Sequence, residues 1–232
     1  MTRPTFAAGA GVCLVLALLS GCVSRPPAKD YTAFRASAPR SILVLPPKNE
    51  TVSVEGPYSY LSTVSRPLSE LGYYVFPVNE VDELLKANGV TDPAEMHQIP
   101  VAKLREVTGA DAVLYPTLKE YGSKYVLLDS VTSVSVSAVL VDARSGETLW
   151  SNQARLQMNA NGNNQGGLLA QMVGAIVSQI INSKSDPAHR ISQQVDTILF
   201  ETQGQGLLPG PYLVGPVALA PKPAGTTHSN QP

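Results

Sequence analysis

Short apolar runs bounded by proline or glycine recur through the first half of the chain. Runs of this length and composition are typical of buried strands. The three predicted strands of this part are SILVLPP (41–47), YYVFPV (73–78) and AVLYPTLKEYG (112–122). Pro116 interrupts the third strand, and a proline inside a strand favours a bulge or an edge position.

Helical spacing fills the intervals between these strands. The segment YSYLSTVSRPLSELG (58–72) places Leu61, Val64 and Leu68 three or four residues apart and ends in glycine, as an amphipathic helix does. Pro67 is predicted to kink or split this helix. The segment VDELLKANG (81–89) predicts a second helix. The order strand, helix, strand, helix, strand favours an α/β layer with right-handed crossovers.

A different pattern begins at residue 131, where VTSVSVSAVLVD alternates apolar residues with serine. This period of two predicts a half-buried antiparallel strand with Val134 and Val136 on the buried face. Residues 142–146 form a predicted turn, and ETLWSNQARLQM (147–158) is the returning strand. Trp150, the single tryptophan, is interpreted as a core residue.

Two helices are predicted near the C-terminus. One carries a stripe of apolar residues between positions 169 and 180, and the other begins at Asp186 and Pro187. The loop NANGNNQGG (159–167) before them matches neither the Walker pattern nor the dinucleotide fingerprint. The predicted fold class is therefore a mixed-sheet α/β sandwich, in which the α/β layer is followed by an antiparallel hairpin and two helices.

The N-terminus has the outline of a signal peptide: Arg3, then an uncharged apolar run over residues 6–19, too short for a permanent transmembrane helix. The order Leu19-Ser20-Gly21-Cys22 resembles the bacterial lipobox, which implies diacylation of Cys22 and cleavage before it. Several acyl chains on one residue give stable anchoring. By resemblance to the sorting rules of enteric bacteria, Val23 after the cysteine points to the outer membrane. We expect the domain to face the periplasm, with exposure at the cell surface as the open alternative.

These features divide the chain into four parts. We predict a signal peptide at 1–21, a lipidated cysteine and flexible tether at 22–40, an α/β domain at 41–202 and a Pro/Gly-rich tail at 203–232. Cleavage removes Cys13, and lipid occupies Cys22, so a disulfide, a structural zinc site and a redox dithiol are excluded for the mature chain. A net charge of −1 with 15% charged residues argues against nucleic acid as a partner.

Candidate catalytic residues do not form a recognisable motif. The histidines His97, His189 and His228 lie in different predicted elements, and the HExxH and GxSxG patterns are absent from the sequence. Serines 133, 135 and 137 form a ladder that cross-strand hydrogen bonding explains. We therefore predict a protein without enzymatic activity, resident metal or cofactor.

The stretch from LPPKNETVSVEGPYSYLSTVSRPLSELGYY to VTGADAVLY resembles a bacterial lipoprotein family typified by a genome-derived neisserial vaccine-candidate antigen. The resemblance covers residues 40–150 and implies an α/β sandwich similar to the N-terminal domain of the Tol-system periplasmic protein. The piece LVDARSGETLW (140–150) is also similar to the curli secretion-channel lipoprotein superfamily. Neither relative supplies catalytic residues. Both resemblances imply an envelope lipoprotein that works by contact, beside other lipoproteins in a transport or secretion assembly.

The leading hypothesis is an adaptor subunit anchored in the outer membrane. Tyr58 and Tyr60, in the segment VEGPYSYLST, are candidate interface residues because aromatic side chains are enriched at protein interfaces. The alternative, that both rings pack on the sheet, is equally open. A lipid-tethered periplasmic hydrolase and a carrier of apolar ligands are the rival hypotheses; a deep pocket at His97 or His189, or a continuous apolar cavity, would favour them.

Overall fold

A computed structural model of the protein describes residues 29–126, 129–159 and 186–213, and the side chains of residues 125–129 are not among those described. Cys22, the predicted signal peptide, the 159–167 loop beyond Asn159, the first predicted C-terminal helix and the last nineteen residues of the tail therefore lie outside the described residues.

A mixed β-sheet forms the middle of the domain, with the strand order β3-β1-β4-β5-β6 and β2 paired with β4 beyond the end of β1. The pairings among β1, β2, β3 and β4 are parallel, whereas β4-β5 and β5-β6 are antiparallel. The strands are β1 (Ser41–Val44), β2 (Lys48–Asn49), β3 (Tyr74–Val75), β4 (Ala112–Val126), β5 (Asp129–Asp142) and β6 (Thr148–Asn159). This sheet confirms the predicted mixed α/β class.

Helices cover the sheet from both sides. They are α1 (Thr32–Ser37), α2 (Gly56–Glu70), α3 (Val78–Ala87), α4 (Pro93–Met96), α5 (Val101–Thr108) and α6 (Pro187–Glu201). Asp92 and Asp186 begin α4 and α6 by accepting hydrogen bonds from Ala94 N and Ala188 N, each at 2.9 Å, as N-cap residues do. Of the two helices predicted at the C-terminus, α6 is the described one.

The sheet separates two hydrophobic cores. The larger core lies under α2 and α6, where Val134, Val136 and Leu140 of β5 meet Trp150 of β6. The smaller core lies on the other face, where Leu43 and Val113 of the parallel strands pack against α3, α4 and α5. The alternation along β5 puts Val134, Val136 and Leu140 into the larger core, as predicted. Ser133 and Ser135 alternate with them and are also buried, so this part of the strand is covered on both faces.

Pro67 and Pro116 both stand inside continuous elements of the structure. The helix α2 continues through Pro67, which is buried, so the helix is not split. The strand β4 continues through Pro116, and its register shift falls between Leu118 and Glu120 instead. Pro116 lies between the residues that pair with β1 and those that pair with β2, a position where the neighbouring strands need no donor from it.

Segments at both chain ends pack on the domain. Phe34 of α1 is buried, and the Tyr31 hydroxyl donates a 2.5 Å hydrogen bond to Gly206 O. Residues 202–213, here called the C-terminal strap, accept a further hydrogen bond from Trp150 Nε1 at Gln205 O (2.9 Å) and bind Leu71 O through Gly210 N (2.7 Å). These contacts lie within the stretches predicted as tether and tail.

Opposite ends of the sheet carry different features. Parallel strands β1, β3 and β4 begin at what we call the lower end, where β5 also finishes at Asp142. Lys29, the first described residue, contacts Ser151 O and Trp150 at this lower end. The upper end carries the connection from β2 to α2. Loops that follow the carboxyl ends of parallel strands commonly form the binding sites of open α/β sheets.

Candidate interaction site

The connection from β2 to α2 at the upper end is an organised loop, here called the valine loop (residues 50–55). Asn49 Oδ1 accepts hydrogen bonds from Thr51 N (3.0 Å) and Thr51 Oγ1 (2.8 Å), and Asn49 Nδ2 donates to Ser53 O (2.9 Å). Ser53 Oγ then accepts from Gly56 N at 3.0 Å. Short polar side chains that bind backbone groups two or three residues away fix turns in this manner.

The valine loop presents apolar side chains to solvent. Val52 is 98% exposed and Val54 is 85% exposed. Ion pairs of Glu50 with Lys119 (2.8 Å) and Lys48 (3.9 Å) lie at the base of the loop. The loop therefore holds two valines in one place before any partner is present, which lowers the entropy lost on binding.

The two candidate interface tyrosines lie in different environments. Tyr58, in the first turn of α2, is 52% exposed, and its ring lies 5.1 Å from Lys86 Nζ of α3. Tyr60 is completely buried in the larger core. Of the two interpretations left open by the sequence, packing describes Tyr60, and a surface role stays a prediction for Tyr58.

Tyr60 belongs to a buried polar group between α2 and α6. Thr63 Oγ1 donates a 2.7 Å hydrogen bond to Asp196 Oδ2, and burial raises the pKa of the Asp196 carboxyl to about 7 against the effect of that hydrogen bond. Burial also raises the pKa of Tyr60, and the nearby Asp196 carboxylate adds to this increase. Tyr60 OH and Asp196 Oδ1 are buried beside one another: the Tyr60 hydroxyl lowers the pKa of the Asp196 carboxyl, although neither atom makes a hydrogen bond of regular geometry among the described residues.

A serine and a histidine meet near the start of α6. Ser59 Oγ lies 3.2 Å from His189 Nδ1 and 2.5 Å from Tyr121 OH, which in turn lies 2.9 Å from Asp186 Oδ2. The Asp186 carboxylate therefore contacts Tyr121 and not His189. The second ring nitrogen of His189, Nε2, lies 3.5 Å from Gln193 Nε2. In a catalytic triad a carboxylate orients the histidine. In this cluster no described carboxylate contacts His189. The hydrogen bonds of the cluster link α2, β4 and α6.

His97 lies just after α4, beside the residues that follow β1. Its Nε2 is 2.9 Å from Pro46 O, and its ring meets Tyr115 edge to face at 5.4 Å. Burial lowers the pKa of His97. The structure does not bring His97 and His189 together, and among the described residues no three His, Cys, Asp or Glu side chains are placed to hold a metal ion.

An apolar groove lies between α3 and α5. It has a volume of about 170 Å³ and is lined mainly by aliphatic side chains, including Leu43, Leu85 and Leu104. Pockets for small molecules usually measure about 300–1,000 Å³. This groove is therefore smaller than the continuous cavity that a carrier of apolar ligands requires.

The family model described as "Putative lipoprotein GNA1162-like" matches residues 29–212. A Neisseria meningitidis serogroup B protein named "Putative lipoprotein NMB1124/NMB1162" is 45% identical over 205 residues, which cover 88% of this chain and 95% of the relative. The chain belongs to the GNA1162-like lipoprotein family. Membership implies a location in the bacterial cell envelope.

Solved structures are similar to this GNA1162-like chain over different lengths. The crystal structure of lipoprotein GNA1162 from Neisseria meningitidis is 50% identical, with a TM-score of 0.53, and covers 62% of this chain and 100% of its own. A PelC dodecamer subunit from Paraburkholderia phytofirmans is 14% identical, with a TM-score of 0.40, over 79% of this chain and 95% of its own.

No helix in the described ranges has the length and apolar character needed to cross a membrane. The segment VEGPYSYLST, chosen from the sequence for its two tyrosines, overlaps the valine loop only at Val54 and Glu55, and the hydrogen bonds inside the loop were not predicted. The signal was available in Asn49, Thr51 and Ser53, since asparagine and hydroxyl side chains at alternate positions commonly bind nearby backbone groups.

Proposed function

We propose that this GNA1162-like protein is an outer-membrane lipoprotein, anchored through lipid on Cys22, that acts without catalysis as an adaptor of an envelope transport or secretion assembly. The valine loop carries the proposal. Its two exposed valines and Tyr58 form the contact surface for another envelope protein, and burial of each valine would contribute about 1.5 kcal/mol or more.

The position of the loop suits an anchored adaptor. Lys29 lies at the lower end of the sheet and is seven residues from Cys22, so an extended connection reaches at most about 25 Å. The lower end of the sheet therefore stays near the membrane surface. The valine loop at the upper end points into the periplasm, where a partner can reach it.

Chemical crosslinking in intact cells, followed by purification of the full chain in mild detergent, tests this function. We expect the wild-type chain to be recovered with an envelope partner, and the Val52→Ser/Val54→Ser variant to lose at least about 90% of it, because the apolar contact is removed. The control is Val107→Ser/Val139→Ser, since these valines are also exposed but lie outside the loop. Recovery of wild type alone as a monomer, or equal capture by both double variants, would contradict the proposal.

A further inference from the structure

A carboxyl group lies inside the contact between α2 and α6. Asp196 of α6 is completely buried, and its Oδ2 lies 2.7 Å from Thr63 Oγ1 of α2. Its Oδ1 is also buried and makes no hydrogen bond of regular geometry among the described residues. Burial raises the pKa of this carboxyl, and the side chains that act against burial, Thr63 and Tyr60, are uncharged. A carboxylate in such a place lacks a counter-ion and most of its hydration, so the closed contact favours the protonated form.

The hydrogen bonds around Thr63 also favour a protonated Asp196. Thr63 Oγ1 lies 2.8 Å from Tyr60 O and 2.7 Å from Asp196 Oδ2. A hydroxyl has one proton to donate, so both contacts can be hydrogen bonds only when the carboxyl brings a proton of its own. Ionisation of Asp196 therefore leaves one buried oxygen atom without a donor, which is unfavourable.

A polar groove gives water a route to this carboxyl. The groove has a volume of about 260 Å³, and residues of both α2 and α6 line it. Thr63 is one of them, so the side chain that contacts Asp196 also borders the groove. Gln194, another lining residue, has its Oε1 buried without a partner among the described residues. Water that enters along the groove would bind these unsatisfied oxygen atoms, which lowers the cost of separating the two helices.

The titratable groups around Asp196 do not compensate its ionisation. From α2, Tyr60 faces the carboxyl, while Arg66 and Glu70 line the groove and pair with each other at 2.8 Å. β5 and β6 present apolar side chains of the larger core to α6. From β4, Tyr121 contacts the start of α6, about three turns away from Asp196. None of these groups supplies a free positive charge to the carboxylate.

We propose that the contact between α2 and α6 is a pH-sensitive seam: when Asp196 loses its proton, α6 separates from α2 along the groove, and the carboxylate becomes hydrated. The sheet keeps its strands paired, so this opening is a local event and not unfolding of the domain. The seam joins α2, which follows the valine loop, to α6, which leads into the C-terminal strap. The inference stands independently of a protein partner.

Hydrogen–deuterium exchange of the full chain in neutral-detergent micelles between pH 4.5 and 8.5 tests the seam. Each exchange rate is divided by that of an unstructured peptide of the same sequence, which leaves the opening equilibrium. We expect the opening of α6 to increase up to about tenfold per pH unit and to level off near pH 7, because the closed state holds a proton that the open state has lost. At pH 8 the amides of β5 should stay at least about tenfold better protected than those of α6.

Two variants assign the effect to Asp196. Asp196→Asn cannot ionise, so the opening of α6 should no longer depend on pH. Thr63→Val removes the hydrogen bond that lowers the pKa of Asp196, so the increase should level off at a higher pH than in the wild type. Glu70→Gln, which changes a carboxylate that lines the same groove, should keep the wild-type profile. The inference is overturned if α6 and β5 are equally protected at pH 8, if Asp196→Asn keeps the wild-type pH dependence, or if Thr63→Val levels off at the wild-type pH.

Discussion

The Thr63 hydroxyl donates a 2.7 Å hydrogen bond to the Asp196 carboxylate, and this contact joins α2 to α6 inside the larger core. Asp196 is fully buried, and its second oxygen has no partner among the described residues. A buried carboxyl in this setting retains its proton to a higher pH than an exposed one. The stability of the domain should therefore depend on pH through this residue.

The first prediction concerns the Asp196→Asn variant. The pKa of Asp196 is about 7 in the folded chain against 3.8 for an exposed aspartate. Below about pH 4 Asp196 is protonated in both the folded and the unfolded state. Between about pH 4 and 7 only the unfolded chain loses this proton. The free energy of unfolding therefore falls as the pH rises through this range. Asp196→Asn should remove this fall. Urea unfolding should give slopes against pH that differ by up to about 1.4 kcal/mol per pH unit.

Glu70→Gln is the matched control for that experiment, because Glu70 is an exposed carboxylate near the same helix pair. It should preserve the wild-type pH dependence. If the stability of Asp196→Asn still falls between pH 4 and 7 as that of the wild type does, another group causes the fall. Asp196 would then be ionised in the folded wild type over this range.

The second prediction separates Tyr60 from Tyr58. Tyr60→Phe keeps the buried ring and removes a hydroxyl whose contact with the Asp196 carboxyl falls short of a regular hydrogen bond, so the free energy of unfolding should stay within about 1 kcal/mol of wild type. Tyr58→Ala should preserve stability equally well, since the ring is half exposed, but should reduce partner capture. Loss of capture in Tyr60→Phe with full capture in Tyr58→Ala would contradict this assignment.

The third prediction tests the contact between the C-terminal strap and the end of α2. Gly72 has φ of +88°, and an added Cβ would lie 2.2 Å from Leu213 N. Gly89 has nearly the same φ, +85°, with open space around it. Gly89→Ala should cost about 1 kcal/mol for backbone strain alone, and Gly72→Ala about 3 kcal/mol or more because backbone atoms must also move. Chemical denaturation measures both, and equal losses would show that the strap does not pack there in solution.

The fourth prediction concerns the organisation of the valine loop. Asn49→Ala removes the acceptor for Thr51 N and the donor to Ser53 O, so the loop should lose its fixed shape and partner capture should fall about tenfold. The melting temperature should change by less than about 2 °C, because all the affected groups are exposed. Asn88→Ala is the control, since Asn88 binds only the end of α3. Undiminished capture by Asn49→Ala would show that the loop needs no fixed shape.

The spacing of apolar residues predicted those helices and strands in which buried side chains recur at regular intervals. The alternation of Val134 and Val136 with serine placed β5 correctly, because the alternate residues from Val134 to Leu140 enter the core that α6 covers. The same reasoning applied to α2 would have found the burial of Tyr60, which lies four residues before Val64 and eight before Leu68 on one stripe. Tyr58 lies off that stripe, and its exposure follows.

Segments that pack on the domain through a few contacts with residues distant in sequence show no such regular spacing. The bond from Tyr31 to Gly206 and the bond from Trp150 to Gln205 order α1 and the C-terminal strap, yet both segments have the composition of linkers.

The central claim, that the chain is tethered at the lower end of its sheet by lipid on Cys22, is tested most directly by mass spectrometry of the N-terminal peptide from membrane-extracted protein. The account predicts a chain that begins at Cys22 and carries the added mass of acyl groups, and predicts that the Cys22→Ser variant lacks this mass and leaves the membrane fraction. A bare Cys22 thiol, or an intact leader on soluble wild-type protein, would contradict the claim.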